Sequence, residues 1–269
     1  MSAAETSFRA GDLAGALEQL QNEVRTRPAD SKLRIFLAQL LMVLGQWDRA
    51  LTQLNIIADM EASALPMVHS YRTAIQCELL RQGVFAGDRS PVLFGDPEPW
   101  IALLMQAPSL DAKGQTKEAR ELRARAFEEA PAVGGSLNGA PFEWVADADS
   151  RLGPTLEILL NGAYYWVPMH RIRRISIEPP QDARDLVWVP AEFTWANGGE
   201  AMGLIPTRYP GSEKIDDNAI RMARRTDWRE LADQSYAGLG QRVLTTDSGD
   251  CGILEVRELL LGEAAVAAA

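Results

Sequence analysis

The chain has 269 residues, of which 46% are hydrophobic and 24% are charged, as in a globular protein long enough to bury a core. Its net charge of −10 argues against a broad nucleic-acid-binding surface, because such domains are usually basic. Two cysteines, Cys77 and Cys251, are too few for a disulfide framework, and no run reaches the roughly 18 apolar residues of a membrane span. The first ten residues lack the apolar core of a signal peptide, so we expect a cytoplasmic protein without a membrane partner.

The first half contains an internal repeat. The segment A-G-D-L-A-G-A-L-E-Q-L at 10–20 returns 34 residues later as L-G-Q-W-D-R-A-L-T-Q-L at 44–54. A period of about 34 residues is that of the tetratricopeptide unit, a pair of antiparallel helices. Glycine permits the tight turn between the two helices, and proline closes the second helix. A third copy repeats the same offsets; the matched positions are Gly11, Ala16 and Pro28, then Gly45 and Ala50, then Gly114, Ala119 and Pro131.

These copies predict a tetratricopeptide-like α-α superhelix with seven or eight helices in residues 2–131 and one eroded repeat. The segment Gly83–Pro99 is rich in helix breakers and reads as an irregular loop that could order on binding a partner. Stacked helix pairs usually expose a concave groove for a peptide or helix. The leucine-rich face Leu33–Leu44 fits the core between repeats better than such a groove.

The second half predicts a small antiparallel β-rich domain resembling an open barrel. Short apolar runs separated by turn residues are typical of strands, and Asn197-Gly198 is a strong hairpin signal. One helix is expected near Asp216–Asp233, and a second short helix around Thr155–Leu160 is an alternative to a strand there. We divide the chain into a helical domain at 1–132, a β-rich domain at 133–262 and a flexible tail at 263–269. The expected strands are Leu156–Leu160, Tyr164–Val167, Ile172–Ile177, Leu186–Val189, Ala191–Trp195, Met202–Ile205, Gln241–Thr245 and Ile253–Leu259.

Several strings in the second half resemble the ImpE/SciE family, also called TagJ. They are D-A-D-S-R-L-G-P-T-L-E at 147–157, G-A-Y-Y-W-V-P at 162–168, R-D-L-V-W-V-P-A at 184–191, L-I-P-T-R-Y-P-G-S-E at 204–213, R-T-D-W at 225–228 and G-L-G-Q-R at 238–242. The resemblance implies an accessory protein of bacterial type VI secretion. It further implies binding to the small subunit of the contractile sheath, through its N-terminal helix, and a link to the ClpV-type AAA+ ATPase.

Two motifs suggest chemistry, and both have a simpler structural interpretation. Asp147 and Asp149 form a D-x-D that could hold a metal–nucleotide in a transferase, but a capped turn or a pair with an arginine is favoured. The string around Ser248, T-D-S-G-D, fits a hairpin turn, because His69 and His170 offer no recognisable catalytic or metal set. We therefore expect no enzyme activity, no metal and no cofactor.

The candidate partner-binding residues are basic or aromatic. Arg171 and Arg173 belong to the basic run H-R-I-R-R, and strand alternation would place them on one face with Ile172 and Arg174 on the other. Arg208, Tyr209 and Trp228 could form an interface or an internal brace, since arginine stacks on aromatic rings in both settings. The leading hypothesis is a non-enzymatic adaptor. The alternatives are a transferase using Asp147 and Asp149, or a regulator whose repeats hold a client protein.

Overall fold

The computed structural model describes residues 2–232 and 234–262, so the predicted tail at 263–269 lies outside the described residues. Seven α-helices occupy residues 2–131, as the repeat predicted. Their bounds are α1 Ala3–Ala10, α2 Leu13–Thr26, α3 Ser31–Val43, α4 Trp47–Met60, α5 Leu65–Phe85, α6 Pro99–Ala112 and α7 Thr116–Glu129. No helix of the described residues is long and apolar enough to cross a bilayer.

The repeated glycines lie where the offsets placed them. Gly11, Gly45 and Gly114 connect α1 to α2, α3 to α4 and α6 to α7, with φ of 86°, 67° and 75°. Residues with a Cβ rarely adopt this left-handed backbone conformation, which explains why glycine occupies these positions. The alanines five positions later are fully buried, so the paired helices approach closely. The 34-residue repeat is therefore a stack of helix hairpins.

The second half is β-rich, and its sheets do not close into a barrel. The main sheet has nine strands in the order β1-β6-β5-β9-β8-β7-β14-β2-β3, and two small sheets pair β10 with β11 and β12 with β4 and β13. All pairs are antiparallel except β1 with β6. The strands are β1 Val92–Leu93, β2 Gly135–Leu137, β3 Ala140–Phe142, β4 Val145–Asp147, β5 Thr155–Leu160, β6 Ala163–Pro168, β7 Ile172–Ser176, β8 Trp188–Trp195, β9 Glu200–Pro206, β10 Thr226–Ala232, β11 Ser235–Gly240, β12 Val243–Thr246, β13 Gly249–Gly252 and β14 Glu258–Leu261.

Most of the predicted strands are present, with some changed boundaries. Asn197-Gly198 forms the turn between β8 and β9, as predicted. The two runs predicted on either side of Pro190 form the single strand β8, and Leu186 ends a preceding 3-10 helix instead. The run Ile253–Leu259 is strand only from Glu258 onwards, in β14.

The helix predicted near 216–233 is largely wrong. Only Asn218–Arg221 (α8) is helical, and Thr226–Ala232 forms strand β10, while Asp233 lies outside the described residues. Strand β10 is exposed along most of its length, so neither face carries the apolar alternation that marks a strand.

One hydrophobic core joins the helices to the main sheet. It contains side chains of α1 to α7 together with Trp166, Trp188, Tyr209 and others from the second half. Helix α3 is buried from Leu37 to Val43 without a break, which requires neighbours on all sides. The inter-repeat core predicted for this helix is therefore extended by the β-rich half, which packs against α3 and α5. A second core lies on the opposite face of the main sheet.

The loop predicted at Gly83–Pro99 is shorter than expected and joins the sheet. Helix α5 continues to Phe85, and α6 begins at Pro99. Between them, β1 pairs in parallel with β6, and the ring of Phe94 lies 4.4 Å from that of Trp195. This connection between two helices thus contributes an edge strand to the other half of the molecule.

Candidate functional site

The basic run at 170–174 is split between a brace and an exposed surface. Arg171 donates to the carbonyl oxygens of Phe94 and Asp96 and, at 2.8 Å, to Glu98 Oε1. Its guanidinium therefore fixes the loop before α6. His170 also bonds to Glu98, with 2.9 Å between Nε2 and Oε1, so this histidine is a structural group.

A β-bulge changes the side to which the next arginines point. The register of β7 against β8 shifts between Ile172 and Arg174. Ile172 and Ile175 are consequently buried, and Arg173 and Arg174 are both exposed, so the alternation predicted for this run is wrong. Arg174 bonds to Glu258 at 2.8 Å. Arg173 has no ion pair among the described residues and stays a candidate contact for a partner.

Arg208 and Tyr209 lie inside the molecule. The Arg208 guanidinium donates to the carbonyl of Val43 at 2.7 Å and caps the C-terminal end of α3. Burial lowers the pKa of Arg208 to about 10, which leaves it charged at neutral pH. The Tyr209 hydroxyl donates to Asp147 Oδ1 at 2.9 Å. Both residues thus act as internal braces in this structure.

Trp228 is the aromatic candidate that remains accessible. It lies on β10, is 42% exposed, and has its ring 5.7 Å from that of Tyr209. Of the five candidates, Arg173 and Trp228 are thus the exposed pair, and their role in binding stays a prediction.

The two aspartates of the D-x-D are buried and bonded to protein donors. Asp149 pairs with the guanidinium of Arg151, as the structural interpretation predicted, and also accepts from the backbone N–H of Gly238 at 2.9 Å. Asp147 pairs with Arg242 and Tyr209. Among the described residues no group of three or more His, Cys, Asp or Glu side chains is placed to hold a metal ion. This arrangement does not fit an open metal–nucleotide site.

Ser248 occupies a hairpin turn, as predicted. Strands β12 and β13 pair on either side of Asp247-Ser248, with Thr246 opposite Gly249. The Ser248 hydroxyl donates to the carbonyl of Pro141 at 2.8 Å, and His69 is exposed on α5 in the other half of the chain. The serine is therefore a turn residue whose hydroxyl is bonded to a backbone carbonyl.

The strongest polar contact between the halves was not predicted from the sequence. We call Glu78, Arg81, Asp147, Glu157 and Arg242 the ion network; all five are buried. Arg81, on α5, forms a bidentate pair with Glu157 on β5, at 2.7 and 2.8 Å, and bonds to Glu78 at 3.0 Å. Arg242 joins Glu157 to Asp147. In the sequence, Glu78 and Arg81 resemble an ordinary helix-surface pair at i and i+3.

Burial and opposite charges act against each other in the ion network. Burial would raise the pKa of Glu157, but the charges of Arg81 and Arg242 outweigh it and lower that pKa to about 2. Burial raises the pKa of Asp147 to about 6, and Arg242 limits the rise. Both carboxyls are consequently ionised at neutral pH, and each has a cationic partner.

A depression lined by residues of both halves is open to solvent. We call it the helical groove. It lies between α1, α3 and the turn before β8, and its floor is apolar with a rim of both charges. The lining residues used below are Phe8, Ile35, Phe36 and Leu186 on the floor and Glu5, Arg9, Lys32 and Asp182 on the rim. The floor side chains are partly exposed, and the Phe8 and Phe36 rings meet edge to face at 5.6 Å.

Known proteins resemble this chain along nearly its whole length. The family model of the ImpE protein matches residues 139–260, and a tetratricopeptide repeat model matches residues 7–75. The type VI secretion system accessory component TagJ of Pseudomonas aeruginosa is 51% identical over 256 residues, which cover 95% of this chain and 90% of that protein. The X-ray structure of protein VPA1032 from Vibrio parahaemolyticus has a TM-score of 0.87 at 26% identity and covers 97% of both chains. The helical stack followed by a β-rich half is thus a shared architecture, and the chain belongs to the ImpE family of type VI secretion accessory proteins.

Proposed function

We propose that this protein is a non-enzymatic, cytoplasmic adaptor that binds the N-terminal helix of the small sheath subunit and links it to the ClpV-type ATPase. The observation that carries the proposal is the 51% identity with the accessory component TagJ over 95% of the chain. An accessory role at this level of similarity makes protein partners the expected ligands. The buried and paired state of Asp147 and Asp149 gives no comparable support to the transferase alternative.

The helical groove supplies a surface of the right kind for such a helix. Phe8, Ile35 and Phe36 are partly exposed between α1 and α3. An amphipathic helix binds a groove of this type by placing apolar side chains at i, i+3 or i+4 and i+7 on the floor. The mixed charges of the rim, Arg9 and Lys32 against Glu5 and Asp182, can fix the direction of the bound helix.

The sheath contact is tested with the purified full chain and the small sheath subunit. We expect a direct complex in isothermal titration calorimetry, and loss of about tenfold or more in affinity for Phe36→Ala, since a central aromatic anchor contributes about 2 kcal/mol. Leu79→Ala is the matched control, because Leu79 is 50% exposed on α5 outside the groove. Both variants must keep the circular dichroism of the parent chain. The absence of any wild-type complex at about 50 µM, a concentration that would reveal weak binding, would rule out the sheath contact.

The link to the ATPase is tested by size-exclusion chromatography of the three proteins together. We expect the ATPase to co-elute with the small sheath subunit when the adaptor is present and to bind less of it when the adaptor is left out. Equal co-elution with and without the adaptor would contradict the linking role while leaving the sheath contact intact.

A further inference from the structure

One face of the main sheet is only half covered by the helices. Trp188, Pro190, Glu192 and Thr194 alternate along β8 and therefore lie on the same face. At one end of this face Trp188 is fully buried, with its ring 5.8 Å from that of Trp47 on α4. Glu192 is exposed at the other end. The helical layer thus ends partway across the sheet.

The uncovered end forms a surface that we call the open shelf. Strand register places Glu192 between Ser176 of β7 and Met202 of β9, and Thr194 between Arg174 and Glu200. These six residues define the shelf. Adjacent strands lie about 4.8 Å apart, so three strands span about 10 Å, which is the width of one α-helix. His69 and Thr73 of α5 border the shelf beside Met202, where a further helix would continue the existing layer.

The open shelf has one large apolar side chain, Met202 on β9, and acidic residues beside it. Met202 is 62% exposed, the largest exposed fraction of any large hydrophobic side chain among the described residues. Three exposed carboxylates lie near Met202 and have no ion pair within the described part of the chain: Glu192, Glu200 and the neighbouring Glu178. Two of the nearby cations are already matched, since Arg174 pairs with Glu258 and Arg184 with Asp185, which leaves Arg173 as the unpaired arginine beside the shelf among the described residues. The three carboxylates near Met202 therefore outnumber the unpaired positive charge beside them.

From this half-covered face, its width and its charge, we propose that the open shelf is a docking surface for a partner helix with a basic face and an apolar stripe. Apolar contact with Met202 would provide burial, and lysines or arginines would meet Glu178, Glu192 and Glu200. A second copy of this chain fits less well, because each copy carries a net charge of −10. The inference deepens the proposed adaptor role, since a protein that links two partners needs a surface separate from the helical groove.

The test uses a labelled synthetic helical peptide with lysines on one face and leucines on the other, titrated with the full-length chain by fluorescence anisotropy. A second peptide carries glutamates in place of the lysines. We expect the lysine peptide to bind and the glutamate peptide not to bind. Binding of the lysine peptide should weaken as salt rises, because exposed charge pairs are screened beyond about 8 Å at physiological ionic strength.

Substitutions on the shelf separate specific docking from general attraction to an acidic protein. The double substitution Glu192→Lys with Glu200→Lys should lower the affinity for the lysine peptide about tenfold. Met202→Ala should lower this affinity about fivefold and leave its salt dependence unchanged. The matched control is Glu121→Lys with Glu128→Lys, which makes the same change in net charge at exposed positions of α7. Circular dichroism verifies that all variants fold.

Three results would overturn the proposal. The first is an equal loss of affinity for the lysine peptide in the shelf and control double variants. The second is wild-type affinity for that peptide in the shelf variants. The third is a dimer of the wild-type chain in sedimentation that is absent in the shelf variants. If the sheath subunit fails to bind while the lysine peptide still binds the shelf, the proposed adaptor function alone is contradicted. If the lysine peptide does not bind while the sheath complex forms normally, the docking surface alone is contradicted.

Discussion

Arg81 connects the helical half to the β-rich half through charge. Its guanidinium bonds to Glu78 on its own helix, to Glu157 on β5 and, at 2.8 Å, to the carbonyl oxygen of Arg208. Arg81→Met keeps the length of the side chain but leaves Glu78 and Glu157 buried with less compensation. We expect the free energy of unfolding to fall by about 3–5 kcal/mol, the usual effect of removing one partner of a buried pair. Urea denaturation followed by circular dichroism measures the change.

An exposed arginine provides the control for this substitution. Arg27 pairs with Glu23 and Asp30 on the surface, and its side chain is 56% exposed. Arg27→Met should change the free energy of unfolding by less than about 1 kcal/mol, because surface pairs contribute little. Equal effects at Arg27 and Arg81 would show that the ion network contributes no more than a surface pair.

The ion network also predicts how stability responds to acid. The pKa of Glu157 is about 2 in the folded chain and 4.5 in its ordinary state, so the unfolded chain takes up the proton first as pH falls. Above pH 4.5 the ionised Glu157 makes its full contribution to the free energy of unfolding, up to about 3 kcal/mol. This contribution is lost as pH falls towards 2. Glu157→Gln should therefore flatten the fall of unfolding free energy in that range, whatever its stability at neutral pH. Urea titrations at stepped pH test this.

Asp147 acts in the opposite direction over a different range. Its pKa of about 6 in the folded chain exceeds its ordinary 3.8, so the stability from this group is present below pH 3.8 and is lost as pH rises through 6. The effect of Glu157 on the pH dependence of the unfolding free energy is consequently best measured near pH 2 to 4, where Asp147 contributes little to that dependence. An unchanged slope there in Glu157→Gln would show that other carboxyls cause the acid sensitivity.

At the scale of elements, the turns between paired helices differ in how closely the other half approaches. A Cβ added at Gly45 would lie 2.5 Å from Glu213 Cγ, whereas one added at Gly114 meets nothing within 4 Å. Both glycines have positive φ. Gly114→Ala should therefore cost only the backbone strain, about 1–2 kcal/mol, and Gly45→Ala about twice as much. Thermal melts of the two variants compare the costs directly, and equal costs would mean that Glu213 moves aside freely.

The helix hairpins could be predicted because their signals are local. Gly11, Gly45 and Gly114 each need a left-handed turn, and the proline that follows the second helix is a local signal as well. Strand β10 has no such signal, since solvent surrounds most of it and its residues follow no apolar period. The bulge after Ile172 could not be predicted from the sequence of the basic run either, because it depends on how β7 pairs with β8.

The candidate site was harder to predict than the fold for a physical reason. Arg208 and Tyr209 have the composition of an interface hot spot, and only burial against α3 and β12 shows that they face inward. The open shelf depends on strand register, which brings Glu192, Glu200 and Met202 together from two strands. Neither burial nor register is encoded in the spacing of residues along one segment.

At the scale of the whole molecule, the two halves share one core. Trp188 and Trp166 of the second half pack among the helices, and the side chain of Arg208 caps α3. The β-rich half therefore covers part of α3 and α5, so that side of the helical stack is not free to bind a ligand. The boundary near residue 132 stays a prediction about chain organisation, while the packing indicates a single folding unit. The helical groove and the open shelf, the two surfaces proposed here for partners, lie at the margins of this internal interface.

This shared core predicts that the helical half does not fold well alone. Residues 1–132 without the rest would uncover the rings of Trp47 and Phe85, which pack against Trp188 and Trp166, and would leave Glu78 and Arg81 without Glu157 and Trp188. We expect the isolated fragment to keep helical far-ultraviolet circular dichroism but to lose near-ultraviolet signal and bind a hydrophobic dye. The full chain should unfold in one transition that coincides for tryptophan fluorescence and circular dichroism. A fragment with a sharp melt near that of the full chain, or two separate transitions in the full chain, would instead identify two independently stable domains.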